Sequence, residues 1–164
     1  MLHAEVSRRR LIDGSKLLGN ALIEMYSKWG ALERARQVLD EHPAWDVASW
    51  TRITAGYAQH GSGDEALKCL SGMQGQGLYP NVFTYVCILK ACGNIRALQK
   101  GEEIFRENRQ QRLVDNNLVL GNALVEMYDN CGMLAKAAVL LDELPQQDVV
   151  RRVENNTFQL TVKA

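Results

Sequence analysis

The sequence predicts an all-α solenoid of stacked antiparallel helical hairpins, and three observations lead there. The segment 19–46, GNALIEMYSKWGALERARQVLDEHPAWD, returns 102 residues later at 121–148 as GNALVEMYDNCGMLAKAAVLLDELPQQD, with about half its positions identical. A long internal repeat marks units that stack in a line, each too small to bury its apolar face alone. Within the repeat, apolar residues recur at i, i+3 and i+4 in short runs broken by Gly and Pro, which is helical spacing. Finally, two landmark series share one uneven rhythm. Ala35, Ala66, Gly101 and Ala137 are 31, 35 and 36 residues apart, and so are Tyr26, Tyr57, Cys92 and Tyr128. Uniform 34-residue units, which the 102-residue return also suggests, do not produce that rhythm.

Each unit divides into two helices. In 18–28, Leu22, Met25 and Tyr26 form one stripe and Gly30 breaks it. In 32–41, Ala35, Val38 and Leu39 form the next, with Pro43 as the stop. The second pair spans 49–59 and 64–74, parted by His60-Gly61-Ser62-Gly63. Ser62 and Glu65 have capping-box spacing, and Gly75, Gly77 and Pro80 close the helix. A third pair covers 83–92 and 97–112 with Gly93-Asn94 as the turn, and a fourth covers 119–130 and 134–144. The recurrent Ala or Gly lets helices cross closely while Tyr and Leu fill the adjacent groove. No strand-like alternation competes. Four units flanked by incomplete ends predict a marginally stable array.

Composition narrows the function. Nineteen basic residues balance nineteen acidic ones, so no global field draws the chain to a polyanion or a membrane surface. The runs Arg8-Arg9-Arg10 and Arg106 through Arg112 read as solvated helix faces. No window approaches the ~18 apolar residues that span a bilayer, so no membrane partner is expected. Cys69, Cys87, Cys92 and Cys131 form no CxxC pair, and His3, His42 and His60 lack metal-ligand spacing, so no metal and no cofactor is expected. Cys69 and Cys92 sit in apolar helical stripes, as reduced cysteines that pack like small hydrophobes. The chain lacks a secretory leader pattern. Met1 through Val6 align with the stretch before Gly121, so Met1 is expected inside a longer array, with any targeting peptide preceding this fragment.

The units resemble the pentatricopeptide repeat family, in the class that cycles P, L and S motifs. VASWTRITAGYAQHGSGDEALKCLSGMQGQGLYPN (47–81), with its Ser49-Trp50 pair, resembles a P motif. VFTYVCILKACGNIRALQKGEEIFRENRQQRLVDNN (82–117) is similar to an L motif, and 16–46 and 118–148 resemble S motifs. Residues 1–15 match the tail of another L motif. After Asp148 the pattern departs: Arg151-Arg152-Val153 and 154–160 match no motif, and 149–164 are expected to be poorly ordered.

The resemblance implies a right-handed α-solenoid that binds single-stranded RNA in mitochondria or chloroplasts, one base per motif. It implies that a motif's fifth and last residues hydrogen-bond the base, and that its second residue packs against neighbouring bases. Free Watson–Crick edges exist only in single strands. By position, Asn20 with Asp46 favours uracil, Thr51 with Asn81 adenine, and Asn122 with Asp148 uracil. Val86 with Asn117 specifies no base, because Val86 has no hydrogen-bonding group. The implied register is 5′-U-A-N-U-3′. Leu17, Ala48, Phe83 and Val119 are the clamps, Ala48 being small for that role. The chemistry is sound: Asn both donates and accepts, Asp accepts, and Thr does either. Helix capping is the competing role for Asn20, Asn122, Asp46 and Asp148.

The family also uses L motifs to recruit small proteins of the RNA-editing machinery, which assigns such a partner to 82–117. The combined HxE and CxxC constellation of an appended deaminase is absent from this sequence, since no CxxC accompanies His3-Ala4-Glu5, and no nucleophile–base pair or phosphate-cradling loop occurs, so neither enzymatic activity nor a small-molecule substrate is expected. The competing function is a protein–protein scaffold, because stacked hairpins also cradle peptides.

Overall fold

The computed structural model describes residues 16–41, 45–110 and 117–144. They form eight helices and no strand: α1 (Lys16–Lys28), α2 (Leu32–Asp40), α3 (Val47–Gln59), α4 (Gly63–Gly75), α5 (Val82–Asn94), α6 (Leu98–Gln110), α7 (Leu118–Asn130) and α8 (Leu134–Glu143). The first helices of the four hairpins begin 31, 35 and 36 residues apart, matching the landmark rhythm, and each is 13 residues long. Equal length keeps the same position of every first helix in the same register. The shorter first unit arises in its second helix, nine residues in α2 against 13 in α4.

Odd-numbered helices stack on one another in sequence, α1 on α3, α3 on α5 and α5 on α7, while α2, α4 and α6 each pack between their own partner and the next first helix and α8 packs on α7. Among the described residues the even-numbered helices lie further apart and meet only through long side chains, Arg36 Nη1 of α2 donating to Cys69 Sγ of α4 at 3.9 Å and Lys136 of α8 pairing with Glu102 of α6. First helices whose backbones approach closely, beside second helices spaced more widely, make a stack that curves with α1, α3, α5 and α7 on its inner side. The periodic stripes supply the core. Position seven of the first helices is Leu22, Ile53, Ile88 and Leu124, all buried, and Tyr26, Tyr57, Cys92 and Tyr128 are buried at position eleven. Ala35, Ala66, Gly101 and Ala137 are buried on the second helices. A methyl group at Gly101 would lie 2.8 Å from Met127 Cε of the next first helix, so any side chain there would have to displace the Met127 thioether.

Large and small residues also trade places between units. Gly19 leaves room for the buried Trp45 ring, and Gly121 for Leu144. In the second hairpin the large residue sits on the first helix instead, where Trp50 packs over Gly72. Trp45 Nε1 donates to the Leu39 carbonyl at 2.6 Å, and Trp50 Nε1 donates to Gln76 Oε1 at 3.1 Å, so both indoles are satisfied. The Arg36 guanidinium lies 5.6 Å from the Trp50 ring and ties the first hairpin to the second.

All four hairpin turns share one hydrogen-bond pattern. The amides of Ala31, Ser62, Ala97 and Met133 donate back to the carbonyls of Tyr26, Tyr57, Cys92 and Tyr128, each across a residue with positive φ. This is the Schellman arrangement, which favours glycine at the left-handed position. Glycine occupies it at 30, 61 and 132; the third turn uses Arg96, with φ 54°.

Two local expectations are corrected. Ser62 precedes α4 but makes no side-chain capping bond, because its backbone is already held by the Schellman turn through Tyr57. Gly93 and Asn94 are not the third turn; they belong to α5, and the turn follows at 95–97. Gly93 is buried there because a side chain would crowd Asn130 and the Met127 backbone of α7. Pro43, the segment 1–15 with its arginine run, Arg112, Asp148 and the tail 149–164 lie outside the described residues.

Cys69 and Cys92 are buried, and desolvation pushes both thiols up to about 11. They are protonated near neutrality, hence unreactive. Among the described residues, no helix is long and apolar enough to cross a membrane.

Candidate nucleic-acid interface

The inner layer gathers the residues singled out by position. Asn20, Thr51, Val86 and Asn122 are each the fifth residue of α1, α3, α5 and α7. Leu17, Ala48, Phe83 and Val119 are the second residues of the same helices. Leu17 is 82% exposed, Phe83 69% and Val119 55%, and Ala48 is exposed as well. Three large apolar side chains therefore stand open at one recurring register. Core-facing neighbours such as Ile23 and Tyr85 are closed off completely or nearly so. A helix that needed those second positions for packing would have covered them.

The last residues of the units sit immediately before the first helices, and there the competing role is real. Asp46 caps α3: its Oδ1 accepts from the Ser49 amide at 3.0 Å and from the Ser49 hydroxyl at 3.0 Å. Those bonds, the backbone one first, outweigh desolvation and hold the Asp46 carboxyl below the ordinary carboxylate range. Asn81 caps α5, its Oδ1 accepting from the Thr84 amide at 2.9 Å, while Thr84 Oγ1 accepts from the Asn81 amide at 3.3 Å. Asn117 caps α7 by accepting from Val119 and Leu120 amides. Sequence reasoning had not assigned caps to Asn81 and Asn117, although N-x-x-T at 81–84 is a capping-box spacing. Asn20 and Asn122 are corrected in the opposite sense. Neither caps a helix, since both lie a full turn inside one.

Capping does not exhaust these side chains. One oxygen of Asn81 is held at the helix end, which turns its Nδ2 away from the backbone amides. Asp46 is exposed and retains acceptor capacity beyond the bonds to Ser49. Thr51 Oγ1 lies 2.7 Å from the Val47 carbonyl oxygen and 2.7 Å from Thr84 Oγ1, which in turn lies 3.0 Å from Asn81 Oδ1. The fifth residue of the second unit and its last residue are thereby joined through one hydroxyl of the following helix. Oδ1 of Asn20 is buried without a hydrogen-bond partner among the described residues. Val86 is half-buried against the core, which agrees with its lack of a polar function.

Charge on this face is mixed. Glu24 accepts from Lys28 at 2.8 Å and lies 3.8 Å from Arg52 of α3. The Lys28 bond, then the Lys28 charge, lower the Glu24 pKa. Lys90 and Glu126 are exposed at the register Glu24 occupies on α1. Alternating charge suits selective contact at individual positions better than indiscriminate attraction of a polyanion.

Comparison with known proteins agrees with this architecture. A PPR repeat family model matches residues 45–94, and a PPR repeat model matches 20–41. A chloroplastic pentatricopeptide repeat-containing protein of Arabidopsis thaliana is 34% identical over 142 residues, covering 87% of this chain and 23% of that protein. A putative mitochondrial pentatricopeptide repeat-containing protein of the same plant is 34% identical over 138 residues, or 84% of this chain and 22% of its own length. The chain thus spans less than a quarter of these relatives. The crystal structure of the pentatricopeptide repeat protein PPR10 from maize superposes with a TM-score of 0.60 at 20% identity, over 99% of this chain and 26% of that one, a likeness of fold. Stacked hairpins, two family-model matches and these relatives together assign the chain to the pentatricopeptide repeat family.

Proposed function

We propose that this chain is part of a P, L and S array that binds single-stranded RNA in a chloroplast or mitochondrion, as a targeting element in RNA processing or editing. The units are 16–46 (S), 47–81 (P), 82–117 (L) and 118–148 (S), read in the register 5′-U-A-N-U-3′. The observation that carries this reading is the open row of apolar second residues beside a row of fifth residues, three of the four polar, on stacked first helices. Bases slot between the former and are met edge-on by the latter. The fifth residues are Asn20, Thr51, Val86 and Asn122, and the last residues are Asp46, Asn81, Asn117 and Asp148.

Edge chemistry supports the base assignments. The Asp46 carboxylate only accepts, so it requires a ring N–H, which uracil has and adenine lacks. The Asn20 amide supplies a donor for a uracil carbonyl. In the second unit, Asn81 brings an amide instead of an anion, so an adenine ring nitrogen meets no repulsion, and the Thr51 hydroxyl is available to it. The names of the relatives, one chloroplastic and one mitochondrial, support the organellar assignment. The unit 82–117 is the proposed contact for a small protein of the editing machinery.

The test is a titration of this chain with a labelled oligonucleotide carrying UAGU, against a scrambled sequence, the annealed duplex and the DNA equivalent. Base stacking contributes on the order of 1–3 kcal/mol per base, and association costs several kcal/mol. Binding weaker than about 1 µM is therefore expected, with single-stranded UAGU preferred over the scramble and the duplex inert. Equal binding to scramble and target would refute base reading and favour a protein scaffold.

A further inference from the structure

We infer that the Thr84 hydroxyl is a specificity-determining relay that sets which way the Thr51 hydroxyl points its proton. The inference rests on the base-reading function proposed above and assigns a role to a residue outside its fifth, last and second positions.

The argument is a count of protons. Four oxygens form an unbroken row: the Val47 carbonyl, Thr51 Oγ1, Thr84 Oγ1 and Asn81 Oδ1, with successive separations of 2.7, 2.7 and 3.0 Å. The two end atoms only accept, and the two hydroxyls carry one proton each. Three links therefore share two protons. Oxygens 2.7 Å apart without a proton between them repel, so the empty link falls at the longest separation, between Thr84 and Asn81. Asn81 Oδ1 tolerates this because it accepts the Thr84 amide at 2.9 Å. The resting order is then Thr84 to Thr51 to Val47. The Val47 carbonyl also receives the helical amide four residues on, so Thr51 can turn its proton outward at little cost. It then donates to a ring nitrogen that accepts, which is adenine N1.

A carboxylate in place of Asn81 would reverse the order. Its charge draws the Thr84 proton, since hydrogen bonds to an ionised acceptor are about twice as strong as neutral ones. Thr51 then has no donor behind it and accepts from a base N–H, which is guanine N1. The first unit supplies the comparison within the same molecule. There the last residue is Asp46, and the hydroxyl at the equivalent place, Ser49, donates to the Asp46 carboxylate at 3.0 Å. The third unit ends on Asn117 with Leu120 at that place and Val86 as fifth residue, so no relay can form.

The experiment compares Thr84→Val and Thr84→Ser with the wild type, binding single-stranded UAGU and UGGU. Thr84→Val keeps the shape and the amide that caps against Asn81, and Thr84→Ser restores the hydroxyl. The wild type is expected to prefer adenine, Thr84→Val to lose roughly five- to tenfold of the adenine-to-guanine ratio, and Thr84→Ser to retain it. A merely structural Thr84 would weaken both RNAs in parallel and leave the ratio unchanged, which overturns the relay while leaving base reading intact. A wild type without any adenine preference overturns the base reading, and the relay with it. Three-bond couplings of the Asn81 side chain, read by NMR without RNA, check that Thr84→Val leaves the cap in one rotamer.

Discussion

Phe83→Ala separates folding from binding more sharply than any other single change. The ring is 69% exposed at the second position of α5, so its removal uncovers little core. Alanine is also the better helix former by about 0.5 kcal/mol, which offsets the small loss of packing. The expected change in folding stability is within about 0.5 kcal/mol of zero. The cost to RNA binding is of another order. An aromatic side chain stacked on a base is worth about 1–3 kcal/mol, so affinity for a UAGU oligonucleotide falls by roughly 5- to 150-fold. Tyr85, two residues on, is the internal contrast: it is buried, and Tyr85→Ala should destabilise the fold by about 3–5 kcal/mol. Urea unfolding followed by circular dichroism reads the first quantity, and fluorescence anisotropy with labelled RNA reads the second. If Phe83→Ala binds RNA as the wild type does, the exposed second positions are not clamps. If it unfolds as readily as Tyr85→Ala, the ring is core after all.

Arg96→Gly should stabilise the protein by about 0.5–1 kcal/mol, because the left-handed conformation costs a non-glycine residue roughly 1–2 kcal/mol and glycine returns part of that gain to the unfolded chain; a lower unfolding midpoint would contradict it. Gly19→Ala places a methyl carbon 2.1 Å from the Trp45 ring, so about 1–3 kcal/mol of overpacking should exceed the ~1 kcal/mol gained in helix propensity. In a double-mutant cycle, Trp45→Leu should cost less beside Gly19→Ala than alone, and simple additivity would refute the clash. Asp46 has a depressed pKa in the folded state, so its contribution is full above the unfolded value near 4 and is lost as the pH falls through the lower folded value. Asp46→Asn should flatten the acid limb of the stability profile below about pH 4, and an unchanged limb would show that the cap bonds to Ser49 do not hold in solution.

Much of the architecture is legible in the chain because helical hairpins are local. Periodic stripes of Leu, Ile and Tyr mark the first helices, and Ala or Gly at fixed offsets marks the crossings, so the unequal spacing of the units can be counted directly. What is not legible depends on neighbours that the sequence does not announce. Gly93 looks like a turn, yet it lies inside α5 because α7 approaches too closely for a side chain. Arg96 gives no hint of a left-handed residue, and only the repeated Schellman bond at Cys92 imposes that conformation. Ser62 has the spacing of a cap but not the bond.

The candidate interface divides in the same way. The positions of Asn20, Thr51, Val86 and Asn122 follow from register alone. That Asn81 caps a helix was also within reach, through the spacing to Thr84, and Asn117 is a preferred capping residue just ahead of α7. The link from Thr51 to Asn81 was not, since it passes through a hydroxyl 33 residues from Thr51, on the next repeat. Stacking, which brings α3 against α5, creates that contact.

The most direct test of one base per repeat is a transplant of one polar pair. Thr51→Asn with Asn81→Asp gives the second unit the same pair as the first, without touching the core. Binding to UAGU and UUGU, measured side by side, should move from an adenine preference in the wild type to a uracil preference in the double variant. An adenine preference that survives the exchange would mean that these two side chains do not read the base.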